Sequence, residues 1–392
     1  MKAPASTQWM YESNVVIDEE VLYQDRFTEP LAGVKPLRLT TFPFGNSHIY
    51  PEAPVSTPDG QRFIFARYHP PCGYCTYWIA DLATLRIRQV TDEPGATPPA
   101  VTSDGSAMYY IADNCIWRIS PESFERSPVY KLPDELRLST GASSISSCGS
   151  RLAVAWSAEE EGGVMVVDLE AGESNIAFSH RDARNAHTQY CRGPGRLLLV
   201  QVNDGTLYDE DGNMIRMVGE SGVSLHVIHD DGSPVAVLPL GRSPLERVQG
   251  HQCWVGREHS VIAPIHCRDN TGARWRQNRI MAATVGDESS RVVCEGVEEA
   301  FTHIHTTIDG RFWISDCNRT GRIYVGSTRT GRYKPFFDSG ASFGAHQITH
   351  PHPFFLADGQ SIGWNSDVTG ITQIYVARIP DGFLEDLDSL SE

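Results

Sequence analysis

The sequence has no long run of apolar residues and few stretches with apolar residues at helical spacing. No segment reaches the length of a membrane-spanning helix, and the first residues, 1–7, carry no apolar core of signal-peptide type. Basic residues are also scarce: 33 Lys and Arg face 49 Asp and Glu, which gives a formal net charge of −16. Such a chain has no bulk attraction for nucleic acid or an anionic membrane. We therefore expect a cytoplasmic protein that binds neither.

The cysteines show no pairing pattern. There are nine, an odd number scattered along the chain, which is typical of free thiols in a reducing compartment. Cys72 and Cys75 resemble half of a zinc knuckle, but no second pair stands nearby to complete four ligands. We interpret this stretch as a loop at the edge of a sheet.

Strand-forming segments dominate what the sequence does contain. The 392 residues suffice for a large core, and 34 Gly and 24 Pro are scattered between short runs rich in Val, Ile, Tyr and Trp. This composition favours an all-β fold.

A unit made of a glycine turn followed by a short apolar strand occurs seven times. The spacings between successive turn glycines are 45, 44, 46, 61, 54 and 49 residues. A period in the forties with several short strands per unit is typical of a β-propeller, so seven units predict seven blades. The glycines are Gly60, Gly105, Gly149, Gly195, Gly256, Gly310 and Gly359.

The last unit stops one strand short. Its final predicted strand covers residues 373–377. The segment of residues 37–41, which precedes the first unit, is the candidate for the missing outer strand. Such pairing closes the ring and leaves no open seam. We expect one propeller domain over 1–392, with an N-terminal extension at 1–36 and an insertion at 203–250 over the channel mouth, where three Asp-Gly pairs occur.

A His-Pro-His motif is the most specific chemical signal. Pro351 disfavours helix on both sides, so His350 and His352 are predicted in an extended segment with both imidazoles on one face. Gln347 stands just upstream, and His303 and His305 repeat the alternation one unit earlier. Imidazole is the commonest side-chain ligand of transition metals, so this pattern indicates a metal site. The alternative is a strand whose histidines face water.

Histidines recur at one position of the repeat. The strand before each turn glycine is predicted to line the central channel, where apolar residues are usual. A ring of histidines from several blades around one channel mouth is hard to explain by packing. Those in this position are His187, His251, His303, His350 and His352, and His48 lies further ahead of its glycine.

These residues resemble a known family. The stretch 349–353, with Gln347 before it and Asp358-Gly359 after it, is similar to the oligogalacturonate lyases of polysaccharide lyase family 22. The ending 370–380 also resembles the last blade of that family. The resemblance implies a cytoplasmic seven-bladed propeller of pectin degradation that splits a small acidic oligosaccharide, digalacturonate, with Mn²⁺ bound.

The resemblance also implies roles for individual residues. The metal ligands are then His303, Gln347, His350 and His352, with His303 preferred to His305 because it stands six residues before Asp309. His251 becomes the general base, and His187 and His48 become substrate-binding residues of the pocket.

The chemistry of uronate cleavage asks for the same groups. β-Elimination removes the proton at C5, next to a carboxylate that acidifies it poorly until its charge is neutralised. A divalent ion or an arginine provides that neutralisation, and a neutral histidine accepts the proton. A metal also offsets the repulsion between an acidic protein and an acidic sugar.

One family feature is missing. The position of the family's catalytic arginine, seven residues before the Asp231-Gly turn, is occupied by Ser224. Arg216, Arg242 and Arg247 are the candidate replacements, and we assign Arg216 to catalysis and Arg242 to substrate binding. The family's His-Glu after the fourth-blade strand is also replaced, near Asn203.

Three functions follow. The first is a metal-dependent lyase acting on short uronate oligosaccharides, including the variant that takes a different uronate disaccharide. The second is a non-catalytic propeller that binds a sugar or a protein, because fold does not determine function. A hydrolase is the weakest, since the sequence has no Gly-x-Ser-x-Gly motif and no carboxylate pair near the histidines.

Overall fold

The computed structural model describes most of the chain and almost all of it as β-structure. The described residues are 12–14, 33–40, 44–50, 55–69, 74–134, 136, 138, 143–158, 161–209, 214–248, 250–268, 275–297 and 299–389. Its strands are β1 (Glu12–Asn14), β2 (Leu37–Arg38), β3 (Asn46–His48), β4 (Arg62–His69), β5 (Tyr74–Asp81), β6 (Arg86–Gln89), β7 (Ala100–Val101), β8 (Met108–Ala112), β9 (Cys115–Ile119), β10 (Arg126–Lys131), β11 (Ser144–Ile145), β12 (Arg151–Ser157), β13 (Gly162–Asp168), β14 (Glu173–His180), β15 (Gln189–Tyr190), β16 (Leu197–Val202), β17 (Leu207–Tyr208), β18 (Met214–Arg216), β19 (Ser224–His229), β20 (Pro234–Val237), β21 (Glu246–Val248), β22 (Cys253–Trp254), β23 (Ser260–Cys267), β24 (Arg276–Thr284), β25 (Arg291–Glu295), β26 (Phe301–Thr306), β27 (Phe312–Cys317), β28 (Arg322–Ser327), β29 (Tyr333–Asp338), β30 (Phe354–Phe355), β31 (Ser361–Ser366) and β32 (Gln373–Arg378).

These strands form eight antiparallel sheets: seven blades, one for each predicted unit, and a separate hairpin of β17 and β18. In chain order the blades are β3–β6, β7–β10, β11–β14, then β15, β16, β19 and β20, then β21–β25, then β26–β29, and finally β30–β32 with β2. The inner strands, which precede the turn glycines, are β3, β7, β11, β15, β22, β26 and β30. The prediction of an all-β, seven-bladed β-propeller is confirmed.

The turn glycines explain why the repeat is visible in the sequence. All seven have a positive φ, between +53° and +99°, a region that side-chain-bearing residues disfavour. Gly256 has a second reason to be glycine besides its φ angle. A Cβ at this position would lie 2.4 Å from the backbone nitrogen of Gly310 in the next blade, which is too close.

Closure of the ring uses the segment predicted for it. Leu37 pairs with Val376 and Arg38 with Tyr375, so β2 is the outer strand of the seventh blade. The backbone N–H of Leu39 continues the ladder by donating to the carbonyl of Ile374 at 2.8 Å. The prediction of a ring closed by an N-terminal strand is confirmed. Thr41, the last residue of the predicted segment, lies outside the described residues.

The region from residue 203 to 250 is composite. Its hairpin, β17 with β18, is additional to the blade, whereas β19 and β20 are the third and outer strands of the fourth blade. The sequence offered no separate signal for these strands, because three Asp-Gly turns in the region look alike. In the N-terminal extension, β1 pairs with the outer strand β6 of the first blade, and residues 1–11 and 15–32 lie outside the described part.

The core lies between neighbouring blades. Phe312 and Ile314 of β27 pack with Ile362 and Trp364 of β31, and comparable clusters fill the other blade contacts. Burial of each such side chain stabilises the fold by roughly 1.5–3 kcal/mol. One short helix, α1 (Phe383–Asp388), covers the outside of the sixth blade through Leu387 and its neighbours.

Two further features bear on sequence predictions. Eight described cysteines are free thiols, among them Cys75 in β5, whereas Cys72 lies outside the described residues. Among the described elements, no helix combines the length and the apolar character that crossing a bilayer requires.

Candidate metal centre and active site

Three histidines enter the channel mouth with an unusual backbone. His187, His251 and His352 each stand two residues before an inner strand, at β15, β22 and β30 respectively. Their φ angles are +43°, +66° and +44°. A non-glycine residue in this region costs about 1–3 kcal/mol, and such strain concentrates at functional sites.

The His-Pro-His stretch is not the extended strand predicted from the proline. Residues Gln347–Thr349 form a 3-10 turn, His350 is extended, and His352 is left-handed. The strand prediction is wrong here because tertiary hydrogen bonds hold the backbone. The carbonyl of Pro351 accepts from the N–H of Asn365 at 2.7 Å, and the N–H of His352 donates to Asp316 at 3.2 Å.

The two imidazoles nevertheless meet, together with that of His303. Ring nitrogens of His303, His350 and His352, hereafter the histidine cluster, lie within 4.8 Å of one another. Nε2 of His303 is 3.0 Å from Nε2 of His352. Burial first of all, and then neighbouring histidines, lower the pKa of His303 and His352 well below 6.5. Both rings are therefore neutral and carry lone pairs.

A buried carboxylate orients this cluster. Asp316 of β27 accepts from Nδ1 of His303 at 2.9 Å and from the backbone N–H of His303, also at 2.9 Å. Because a carboxylate only accepts, the proton of His303 is on Nδ1 and the lone pair is on Nε2, which faces the cluster. Burial raises the pKa of Asp316, whereas the neighbouring His352 ring and the backbone N–H donors of His303 and His352 oppose that rise. A carboxylate behind a ligating histidine is a common outer-shell arrangement at metal centres.

The donor set fits a divalent ion. Nδ1 of His350 is buried without a hydrogen-bond partner among the described residues, which is costly for a polar atom. Two nitrogens bound at about 2.1 Å and at right angles to one ion stand about 3.0 Å apart, which is the His303–His352 spacing. The cluster therefore supports a divalent metal.

Gln347, the predicted fourth metal ligand, is close to the histidine cluster in sequence but is exposed to solvent. It begins the 3-10 turn three residues before His350. Its carboxamide makes no hydrogen bond to the histidine cluster within the described part of the chain.

Tyr50 lies at the centre of the mouth. Its ring centroid is 5.4 Å from that of His187, 5.2 Å from that of His352 and 6.0 Å from that of His303. Its hydroxyl is 2.7 Å from Nδ1 of His251, and the His251 ring lies 4.4 Å from that of His303. Burial, followed by the neighbouring imidazoles of His303 and His187, lowers the pKa of His251 well below 6.5. His251 is thus a neutral imidazole beside the histidine cluster.

Two other histidines lie deeper. His48 is 2% exposed and stacks on Phe354 with 3.7 Å between ring centroids, and burial lowers its pKa to about 3. Nδ1 of His305 accepts a hydrogen bond from the backbone N–H of Phe355. Its Nε2 lies 2.9 Å from a guanidinium nitrogen of Arg192. The structure therefore brings His303, and not His305, into the cluster.

The assigned arginines lie on loops of the fourth and fifth blades, whereas the histidine cluster belongs to the sixth and seventh. Arg216 ends β18 and is exposed, and Arg242 pairs with Asp204 at 3.2 Å. Both line a cleft formed by the loops of the fourth and fifth blades. Within the described residues neither makes a hydrogen bond to the histidine cluster or to His251.

Sequence reasoning did not identify Asp316 or Tyr50. An acid two residues after the apolar run Phe312–Ile314 was a usable signal for Asp316, because charged residues are rare in buried strands. Tyr50 offered no signal, because its partner His251 is 201 residues away in the chain.

Comparisons with known proteins point in one direction. No family model matches the chain. It is 21% identical over 358 residues to an oligogalacturonide lyase of Pectobacterium atrosepticum and 21% identical over 378 residues to an oligogalacturonate lyase of Dickeya dadantii. Each alignment covers 82% of this chain and 87% of the relative.

A solved structure of an oligogalacturonate lyase in complex with manganese has the same fold. It superposes with a TM-score of 0.74 at 20% identity and covers 95% of this chain and 98% of its own. The resemblance to oligogalacturonate lyases inferred from the sequence is thereby confirmed.

Proposed function

We propose that the protein is a metal-dependent lyase that cleaves short uronate oligosaccharides of the oligogalacturonate type by β-elimination. The observation that carries the proposal is the buried histidine cluster, His303, His350 and His352, beside the neutral His251 at one channel mouth. The similarity to oligogalacturonate lyases over 82% of the chain supports the same reaction and substrate class.

The histidine cluster is the proposed site of Mn²⁺ or another divalent ion, with Gln347 as the fourth protein ligand. A bound ion would supply positive charge that neutralises the substrate carboxylate and so makes the C5 proton more acidic. Asp316 holds His303 in the tautomer whose Nε2 is free to ligate. A manganese complex of a protein with the same fold supports this choice of metal.

His251 is the proposed general base. With a proton on Nδ1, that nitrogen donates to the oxygen of Tyr50, and Nε2 keeps the lone pair that removes the C5 proton. The C4–O bond then breaks, its electron pair leaves with the oxygen, and a C4–C5 double bond forms. The departing hydroxyl needs one proton, the number that His251 has taken, so the reaction has no net proton change.

His187, His48, Arg216 and Arg242 have less direct support. His187 lies at the mouth beside Tyr50, which suits contact with the sugar. His48 is positioned to support Phe354 in the wall. A catalytic role for Arg216 and a substrate-binding role for Arg242 stay predictions.

The decisive test is the absorbance of a 4,5-unsaturated uronate product. Metal-loaded protein is expected to generate it from digalacturonate, and His251→Ala to slow it at least about hundredfold, since a positioned base contributes that much. His259→Ala, which changes an exposed histidine on the same blade, is the matched control and is expected to retain full activity. Absence of the absorbance change with every uronate oligomer, with metal and without chelator, would contradict the lyase assignment.

The replaced arginine favours a second candidate within the same class. Ser224 is buried and its hydroxyl donates to Asp204 at 3.1 Å, so it offers no positive charge to a sugar acid. A lyase for a different uronate disaccharide is therefore the main alternative, and a screen of uronate dimers distinguishes it. A non-catalytic sugar-binding or protein-binding platform is expected to purify without stoichiometric metal.

A cytoplasmic location is part of the proposal. The eight described cysteines, all free thiols, support a reducing compartment.

A further inference from the structure

A cleft outside the histidine cluster gathers positive charge in an otherwise acidic protein. Four arginines and one tryptophan line it: Arg216, Arg242, Arg247, Arg268 and Trp275, hereafter the arginine cleft. Its cavity volume is about 1050 Å³, at the upper end of the range for ligand sites. The chain as a whole has a formal charge of −16, so this cluster is a local exception.

Trp275 holds two of these guanidinium groups close together. The central carbon of Arg247 lies 4.2 Å from the indole centroid and that of Arg268 lies 4.7 Å from it. Each side chain also donates one hydrogen bond to a backbone carbonyl, of Glu220 and Pro244 respectively. Burial and the charge of Arg268 lower the pKa of Arg247, because the two cations repel each other. Bringing an anion between them relieves that repulsion.

Two arginines of the cleft are candidates for binding an anion. In the described part of the chain, no carboxylate lies within salt-bridge distance of Arg216 or Arg268. Arginine forms paired hydrogen bonds to a carboxylate, so these two groups are suited to a sugar acid. Three acids, Asp204, Glu220 and Glu246, and two serines also line the cleft, which leaves it with one net positive charge, and these groups are suited to accept from sugar hydroxyls. This mixed lining disfavours a compact, highly charged phosphate.

The arginine cleft opens on the same face as the histidine cluster. In an antiparallel blade, the start of the inner strand and the loop between the second and third strands lie at the same end. His251 and His352 precede inner strands, whereas Arg216 lies between β16 and β19, and Trp275 lies between β23 and β24. All of them therefore lie on one face of the ring.

The separation between the two sites is bounded by the chain. Arg247 is four residues before His251, so their Cα atoms are at most about 14 Å apart. The residues that line the cleft include neither His251 nor a member of the histidine cluster, so the two are separate sites. The Cα separation is short enough for one oligosaccharide chain to occupy both sites.

We propose that the arginine cleft binds the carboxylates of uronate units beyond the pair that flanks the broken bond. The proposal rests on the proposed function, and it makes the protein a lyase whose affinity increases with chain length. Arg268 and Trp275 are the residues that distinguish a long substrate from a dimer.

Binding to metal-loaded protein that carries His251→Ala, where turnover is suppressed, tests this directly. Calorimetric affinities for digalacturonate and tetragalacturonate are compared after adding Arg268→Gln or Trp275→Leu. Each is expected to weaken tetragalacturonate binding about tenfold, since it removes or misplaces a charged hydrogen-bond donor, and digalacturonate binding less than twofold. Arg118→Gln, at an exposed arginine of the second blade, is the matched control and is expected to change neither.

The outcomes separate this inference from the lyase assignment. If Arg268→Gln and Trp275→Leu weaken the binding of digalacturonate and tetragalacturonate equally, or weaken neither, the inference is wrong, whatever the absorbance assay shows. Displacement of tetragalacturonate by an equal concentration of inorganic phosphate overturns it as well, because the cleft then binds phosphate. Length-dependent binding without any unsaturated product supports the cleft and contradicts the lyase.

Discussion

At the scale of single residues, the histidine cluster depends on groups that are not histidines. Asp316 is fully buried and bonds both to the ring and to the backbone of His303, and to the backbone of His352. It thus connects the sixth and seventh blades at the point where the two rings meet. The same carboxylate sets the tautomer of His303, so removing its charge changes geometry and ligand basicity together.

Asp316→Asn is expected to weaken Mn²⁺ binding about 10–100-fold, as loss of an outer-shell carboxylate commonly does. Both oxygens of Asp316 accept hydrogen bonds from N–H groups. In asparagine one of these oxygens is replaced by an NH₂ group, which cannot accept, so at least one bond is lost. Calorimetric titration of chelator-treated protein with Mn²⁺ measures the effect. Asp338→Asn, on the outer strand of the same blade, is the control, and an unchanged affinity in Asp316→Asn would argue against the assigned role.

At the scale of elements, the short helix α1 is held by one acid. Six residues are too few to form a stable helix alone, so tertiary contacts must fix it. Asp388 accepts from Arg311 at 2.6 Å, Ser327 at 2.8 Å and Arg329 at 3.1 Å, all on the sixth blade. Burial alone would raise the pKa of Asp388, but these donors outweigh it and lower the pKa to about 2.

Asp388→Asn is expected to lower the free energy of unfolding by about 1 kcal/mol at pH 7, allowing for solvent screening of the pair. A carboxyl whose folded pKa is lowered stabilises the fold above its unfolded pKa, near 4, and loses that contribution as the pH falls towards 2. Denaturant unfolding at several pH values should therefore show the difference from the parent shrinking between pH 4 and pH 2. A difference that stays constant over that range would show that Asp388 acts through packing instead.

At the scale of the whole molecule, the ring is closed by residues from both ends of the described chain. The strand β2 gives the seventh blade its outer edge, while Val34 and Leu39 on either side of it are buried. Without this pairing, the outer edge of β32 is exposed and the last blade has only three strands. The seventh blade carries His350 and His352, so closure also stabilises half of the histidine cluster.

Deletion of residues 1–42 is expected to lower the melting temperature by about 10 °C, because it removes the edge pairing and two buried apolar side chains, Val34 and Leu39. Deletion of residues 1–32 retains β2 and Val34 and serves as the matched control. It removes β1, which pairs only at the outer edge of the first blade, and is expected to cost far less. Calorimetry compares the two truncations, and equal losses would show that closure by β2 contributes little.

The sequence by itself determined the number of blades, the closing strand and the identity of the clustered histidines. These are local properties: a turn that needs positive φ must repeat its glycine, and His303 and His352 each stand seven residues before such a glycine, with His350 two residues before His352. Only the tertiary structure decided the left-handed backbone at His352, the placement of Tyr50 on His251, and the pairing of Arg247 with Arg268 over Trp275. The reason is that these arrangements join residues from different blades or loops, and closure of the ring fixes their distances while sequence spacing does not.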